Sequence, residues 1–141
     1  HTLNHSLTVD WYYVSALEGM CAGYKVFEVE IPFAAIADLQ REQAAVDRRL
    51  MAVCEAVDEI QAAASVTMLR GERTEVDRTD RVLLHLFQHQ IHHRGQVHAM
   101  LAGTAAAPPQ LDEFFLAGEG DRGRRAGDFD ALGFDEAMIW R

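Results

Sequence analysis

His85, His89, His92, His93 and His98 all fall in the run LLHLFQHQIHHRGQVHAML between Leu83 and Leu101, so five of the chain's seven histidines share one stretch. On a helix advancing about 100° per residue, His89 lies roughly 40° from His85, His92 roughly −20°, His93 roughly 80° and Gln96 roughly 20°. Four imidazoles and one amide therefore occupy one stripe. Leu83, Leu86, Phe87, Ile91, Val97 and Leu101 cover much of the remaining circumference, which reads as a helix buried nearly all round. An unpaired buried polar group costs about 1–3 kcal/mol, so such a stripe has to be hydrogen-bonded or has to ligate something.

His89 and His93, spaced i, i+4, can reach one ion of zinc size, with metal–nitrogen bonds of about 2.0–2.1 Å. A third ligand has to come from another helix. His5 is the candidate, because apart from His1 it is the only histidine outside the main cluster. Three histidines leave a coordination position open, which is the catalytic arrangement. The run His89-Gln90-Ile91-His92-His93 also approaches the H-E-x-x-H pattern of zinc peptidases. Gln90 stands where the glutamate would be, and an amide is no general base. The competing reading is a polar core in which the histidines hydrogen-bond one another. His85 is assigned as an acid/base or a support for His89, His92 as a support, and His98 as an exposed residue. Tyr12, Tyr13 and Gln96 are assigned to a substrate pocket. Arg94 lies among apolar positions, and a buried arginine needs a carboxylate, for which Asp10 is the expected partner.

The first helix is expected over Thr2–Leu17, with Leu3, Leu7, Trp11 and Val14 on one stripe and His5, Val9, Tyr12, Tyr13 and Ala16 on another. Tyr24–Glu30 reads as an extended connection. Pro32 suits a helix start, and Ile36, Leu39, Val46, Leu50, Val53, Val57 and Ile60 predict one long amphipathic helix from Phe33 to about Ala64. Residues 66–76 predict a short hairpin about the Arg70-Gly71-Glu72-Arg73 turn. Thr79 is the expected N-cap of the histidine helix, with Asp80 favouring its positive end. Gly103 and Pro108-Pro109 close that helix. Leu111–Leu116 reads as a short docked turn with Phe114 and Phe115 as apolar plugs. Residues 118–127 read as a mobile loop, Arg122, Arg124 and Arg125 as its solvated charges, and Phe129–Trp140 as a short helix. The fold class is all-α: a small helical bundle with little extended structure, in one domain over 1–141, core 1–117.

A net charge of −9 argues against nucleic acid as a partner. Cys21 and Cys54, in no CxxC pattern, suit a reducing cytoplasm. No apolar run approaches the roughly 20 residues of a membrane span, and no signal-peptide pattern is seen. The chain opens at His1-Thr2-Leu3 inside a helical pattern and without methionine, so the natural start is expected to be missing.

Two segments carry a resemblance: Leu3-Asn4-His5 followed by Asp10-Trp11, and His85-x-x-x-His89-Gln90-x-His92-His93-Arg94-Gly95-Gln96. With Leu111-Asp112 after the prolines, they make the chain similar to the DinB-like family, the damage-inducible proteins related to bacterial thiol-dependent transferases. The resemblance implies an up-down-down-up four-helix bundle, commonly homodimeric. It implies a divalent metal, typically zinc or nickel, on His5, His89 and His93, and activation of a low-molecular-weight thiol such as bacillithiol or mycothiol for transfer to another small-molecule substrate; the residues themselves admit iron as well, and water as the activated group. The family's first helix has no counterpart here, so either the start is truncated or the C-terminal helix or a partner chain is expected to cover the open side. The residues leave three readings open: a metal-dependent transferase or hydrolase, a non-catalytic metal-binding or sensing bundle, and a metal-free structural bundle.

Overall fold

The computed structural model of the chain describes residues 1–20, 22–106, 108 and 118–139, which are mostly helical with one two-stranded antiparallel sheet. They form two compact units, His1–Met100 and Leu101–Arg141. The expected turn over 111–116, the Leu111-Asp112 pair and Trp140 lie outside the described residues.

In the first unit, α1 (Thr2–Leu17) is the central element, and Leu7 and Val14 are fully buried. Asn4, Ser6, Thr8, Asp10 and Ser15 on the same helix are buried too, so its polar side chains have to find partners in the protein. The helix ends in a Schellman motif, where Met20 N–H donates to Ser15 O at 2.8 Å and Gly19 N–H to Ala16 O at 3.0 Å. Gly19 sits at φ +76°, a conformation that side chains disfavour. The connection read as extended instead starts with a 3-10 turn, Gly23–Phe27, whose Tyr24 and Phe27 rings lie 5.8 and 5.6 Å from that of Tyr12.

Asn4 fixes the next segment. Its amide donates to Phe33 O at 2.9 Å and its carbonyl accepts from Phe33 N–H at 3.0 Å. Each net hydrogen bond contributes about 1 kcal/mol, so Asn4→Ala is expected to cost about 1–3 kcal/mol in urea unfolding. An unchanged midpoint would mean that the clasp adds no stability.

The long helix expected to Ala64 is two helices, α2 (Ile36–Ala56) and α3 (Glu59–Ala63). The break is local. Val57 is extended, and Asp58 caps α3 by accepting from Ile60 and Gln61 N–H, while Gln61 answers in a capping box. The apolar spacing continues through Val57 and Ile60 and so conceals the stop. Leu39 and Val46 of α2 are buried, and α2 packs on α1. Arg49 holds Glu18 with two hydrogen bonds at 3.0 and 2.5 Å.

The expected hairpin is β1 (Ser65–Arg70) and β2 (Arg73–Arg78), paired antiparallel with Arg70 opposite Arg73. Gly71 takes φ +62° in the two-residue turn. Val66 and Met68 point into the core. Then α4 (Thr79–Leu101) begins. Thr79 is its first helical residue and so not its N-cap; its hydroxyl donates to Ala64 O at 3.2 Å and closes the hairpin base.

One face of α4 packs inward through Val82, Leu86 and Gln90. Burial all round does not hold: Leu84, Phe87 and Ile91 are exposed, at 58%, 43% and 71%. They share one stripe opposite the packed face.

In the second unit, the glycine-rich segment read as a loop is helical, α5 (Glu119–Leu132), followed by α6 (Glu136–Ile139). Each interior glycine costs a helix about 1 kcal/mol. That cost is opposed by a non-local contact. Arg125, read as a solvated loop charge, is fully buried, pairs with Glu136 and lies over the Phe129 ring at 5.5 Å. Arg122 reaches the same Glu136 at 3.2 Å. Gly133 at φ +70° ends α5.

Candidate metal centre

The site depends on where α4 lies against α1, and one polar node sets that. Gln90 is buried and donates to Ser6 O at 3.1 Å and to Asp10 Oδ1 at 2.5 Å. Asp10 Oδ2 accepts from Gln43 of α2 at 2.7 Å, and Gln43 also reaches Asp47 at 2.9 Å. Three helices thus meet on one carboxylate. Burial pushes the Asp10 carboxyl up to about 6, against the pull of the Gln43 hydrogen bond. The expected Arg94–Asp10 ion pair does not form. Arg94 is exposed, and the Asp10 oxygens are taken by the two amides.

One turn of α1 before Asp10, His5 meets His89 and His93. Their ring centroids lie 5.2 Å (His5–His89), 4.8 Å (His5–His93) and 4.3 Å (His89–His93) apart. One nitrogen from each falls within 4.8 Å of the other two, so the three could hold a metal ion. His89 Nε2 and His93 Nε2 are 3.1 Å apart. Two nitrogens on one tetrahedral zinc would be roughly 3.3–3.4 Å apart, so this pair is already near bonding separation. Burial, then the neighbouring imidazoles, lowers the His89 pKa to about 4. Burial, then His93, lowers that of His5. Both rings stay neutral at ordinary pH, which is the form that ligates. His89 Nδ1 is buried without a hydrogen-bond partner. Imidazoles with an orphaned nitrogen suit a zinc, nickel or iron ion.

The other residues expected at the site divide. His85 stands 6.2 Å from His89 and 5.1 Å from Tyr13, centroid to centroid. Both line a cavity of about 200 Å³ completed by Met68, Arg70, Glu75, Asp77, Arg81 and Val82. Burial raises the Tyr13 pKa, and its hydroxyl accepts from Arg70 at 3.0 Å. Arg70 Nε is also 2.8 Å from Glu75. Tyr12 does not line this cavity: its hydroxyl donates to Leu69 O at 3.1 Å on the hairpin side. Nor does Gln96, which bridges His93 Nδ1 at 2.8 Å and His92 Nε2 at 3.1 Å. His92 reaches the cluster through that amide. A larger cavity, about 610 Å³, lies at the other end of α1 among Leu17, Val53, Val66 and their neighbours, without a histidine.

Arg70, Glu75 and the Gln90 node were not singled out from the sequence. Only the Gln90 identity, polar on the packed face of α4, could have pointed to a node.

The class these features define is a mainly helical protein with a three-histidine site between two helices. Residues 1–122 match the family model described as the DinB family, and the chain belongs to that family. No curated protein and no solved structure gives a match.

Proposed function

We propose that the chain is a metal-dependent enzyme. A divalent ion, zinc or nickel or else iron, is held by His5, His89 and His93. The activity proposed is hydrolysis or transfer, in which such an ion would activate water or a low-molecular-weight thiol toward a small substrate. The observation that carries this reading is the convergence of His5 from α1 with His89 and His93 from α4 within 4.8 Å. Membership of the DinB family supports it.

A divalent ion held by these three imidazoles would supply Lewis acidity, favouring the deprotonated form of a water or a thiol. The remaining chemistry belongs to side chains. His85, in the cavity beside His89, is placed to take or give a proton at a ring nitrogen. Burial keeps the Tyr13 hydroxyl neutral, so it is free to donate to a substrate oxygen. Arg70, fixed by Tyr13 and Glu75, orients an anionic group.

The reading includes the family's up-down-down-up bundle, a homodimer and a cytoplasmic setting. The exposed Leu84, Phe87 and Ile91 stripe favours association. Among the described residues no helix is long and apolar enough to cross a membrane.

Elemental analysis of untagged protein purified without chelator tests the reading. About one equivalent of zinc, nickel or iron is expected, with turnover in a screen of thiols against electrophiles. His85→Ala should keep its metal and lose about 10²–10⁴-fold in rate. No metal in the parent, and none taken up on reconstitution, would sink the proposal.

A further inference from the structure

Gln96 was expected in a substrate pocket, yet it touches two histidines and lines neither the cavity beside His85 nor the larger one at the other end of α1. Its carboxamide oxygen lies 2.8 Å from His93 Nδ1 and its nitrogen 3.1 Å from His92 Nε2. His93 Nε2 in turn lies 3.1 Å from His89 Nε2. Four side chains therefore form one hydrogen-bonded chain from exposed His92 to partly buried His89.

A carboxamide oxygen only accepts, so His93 Nδ1 has to donate to Gln96, and the inner end of the chain is consistent with that direction. If His93 carried its proton on Nε2, it would donate to His89, whose own proton would then sit on Nδ1. That nitrogen is buried without a partner, and a buried N–H with no acceptor costs about 1–3 kcal/mol. In the opposite direction His89 Nε2–H donates to His93 Nε2, and His93 Nδ1–H donates to Gln96 Oε1. Gln96 N–H then donates to His92 Nε2. Only an acceptor lone pair on His89 is left unmet, and under-satisfied acceptors are better tolerated than orphaned donors.

We infer that Gln96, anchored by His92, is a positioning residue: it holds the His93 proton on Nδ1 so that the His93 Nε2 lone pair faces His5 and His89. A free neutral histidine side chain prefers its proton on Nε2, the tautomer that would block ligation. Outer partners of this kind typically set 10–100-fold in metal affinity. The affinity consequence rests on the metal reading above, whereas the tautomer does not.

Nitrogen-15 NMR of the imidazoles in chelator-treated protein, at about pH 8 where histidine is neutral, reads the tautomer directly. The parent is expected to show His93 with its proton on Nδ1. Gln96→Leu should move the tautomer ratio toward Nε2. Gln96→Glu, whose carboxylate can accept the same N–H, should keep the proton on Nδ1. Competitive zinc titration should find Gln96→Leu about 10–100-fold weaker than the parent and Gln96→Glu restored. A parent His93 protonated on Nε2, or a tautomer ratio unchanged in Gln96→Leu, would overturn the inference. Equal zinc affinity in parent and Gln96→Leu would overturn its consequence. A parent that binds no zinc but shows the Nδ1 tautomer would remove the metal reading and leave the positioning role standing.

Discussion

His5→Ala is expected to abolish as much metal affinity as His93→Ala, although the two residues lie on different helices. With three protein ligands, losing any one leaves two imidazoles and solvent. The loss should exceed the ~10–100-fold that removal of an outer partner causes. The His89–His93 pair follows from α4 geometry alone, at a 4.3 Å centroid separation. His5 closes the set only because Gln90 ties α4 to Ser6 and Asp10. A site made by α4 alone would survive His5→Ala. His98→Ala should leave affinity unchanged, since His98 sits about 220° round the helix from His85. Competitive titration of zinc against a chromophoric chelator, with elemental analysis of each variant, reads all three. Full occupancy in His93→Ala would show that the ligand set is wrong.

The meeting of these three histidines was legible because two of them obey helical spacing and the third had almost no competitors in the sequence. The residues around it were harder to place. Periodicity assigns a residue to a face and says nothing of what reaches that face. Tyr12 and Tyr13 are neighbours, about 100° apart on α1, so both could not face one pocket. Tyr13 meets His85, while Tyr12 turns to the hairpin. Gln96 shares the histidine stripe, but at i+3 from His93 and i+4 from His92 it reaches those two rings first. The hairpin was readable from the Arg70-Gly71-Glu72-Arg73 turn. Its contribution of Arg70 and Glu75 to the cavity was not, because that depends on tertiary packing. The same limit applies to α5, where glycines signalled a loop and the pair between buried Arg125 and Glu136 spans eleven residues. In α2 the error was of the opposite kind: the Asp58-x-x-Gln61 cap was present in the sequence, but an uninterrupted apolar trace outweighed it.

Asp10→Asn is expected to change how stability depends on pH. Burial lifts the Asp10 pKa from 3.8 to about 6 in the folded protein. A carboxyl whose folded pKa is raised takes up protons on folding. Its contribution is therefore fully favourable below about pH 4 and is lost as pH rises through about 6. A shift of about two units corresponds to about 3 kcal/mol. The parent should thus lose about 3 kcal/mol relative to Asp10→Asn between about pH 4 and pH 7, whatever the constant difference in hydrogen bonding to Gln43 and Gln90. His89 acts in the other direction. Its folded pKa of about 4 lies below the usual 6.5 of a histidine, so its stabilising share is present above 6.5 and fades as pH falls toward 4. In the parent the two trends oppose each other, and the stability profile on the acid side should be shallow. The variant keeps only the histidine trend and should weaken steeply with acid. Urea unfolding of both proteins in chelator across this range gives the difference directly, because the histidine contribution is common and cancels. A difference that stays flat with pH would mean that Asp10 ionises in the fold as it does in water, and that the two amides compensate its burial in full. The slope would instead assign the node a cost at neutral pH. That cost is borne at the point where α1, α2 and α4 must keep their register for His5 to meet His89 and His93.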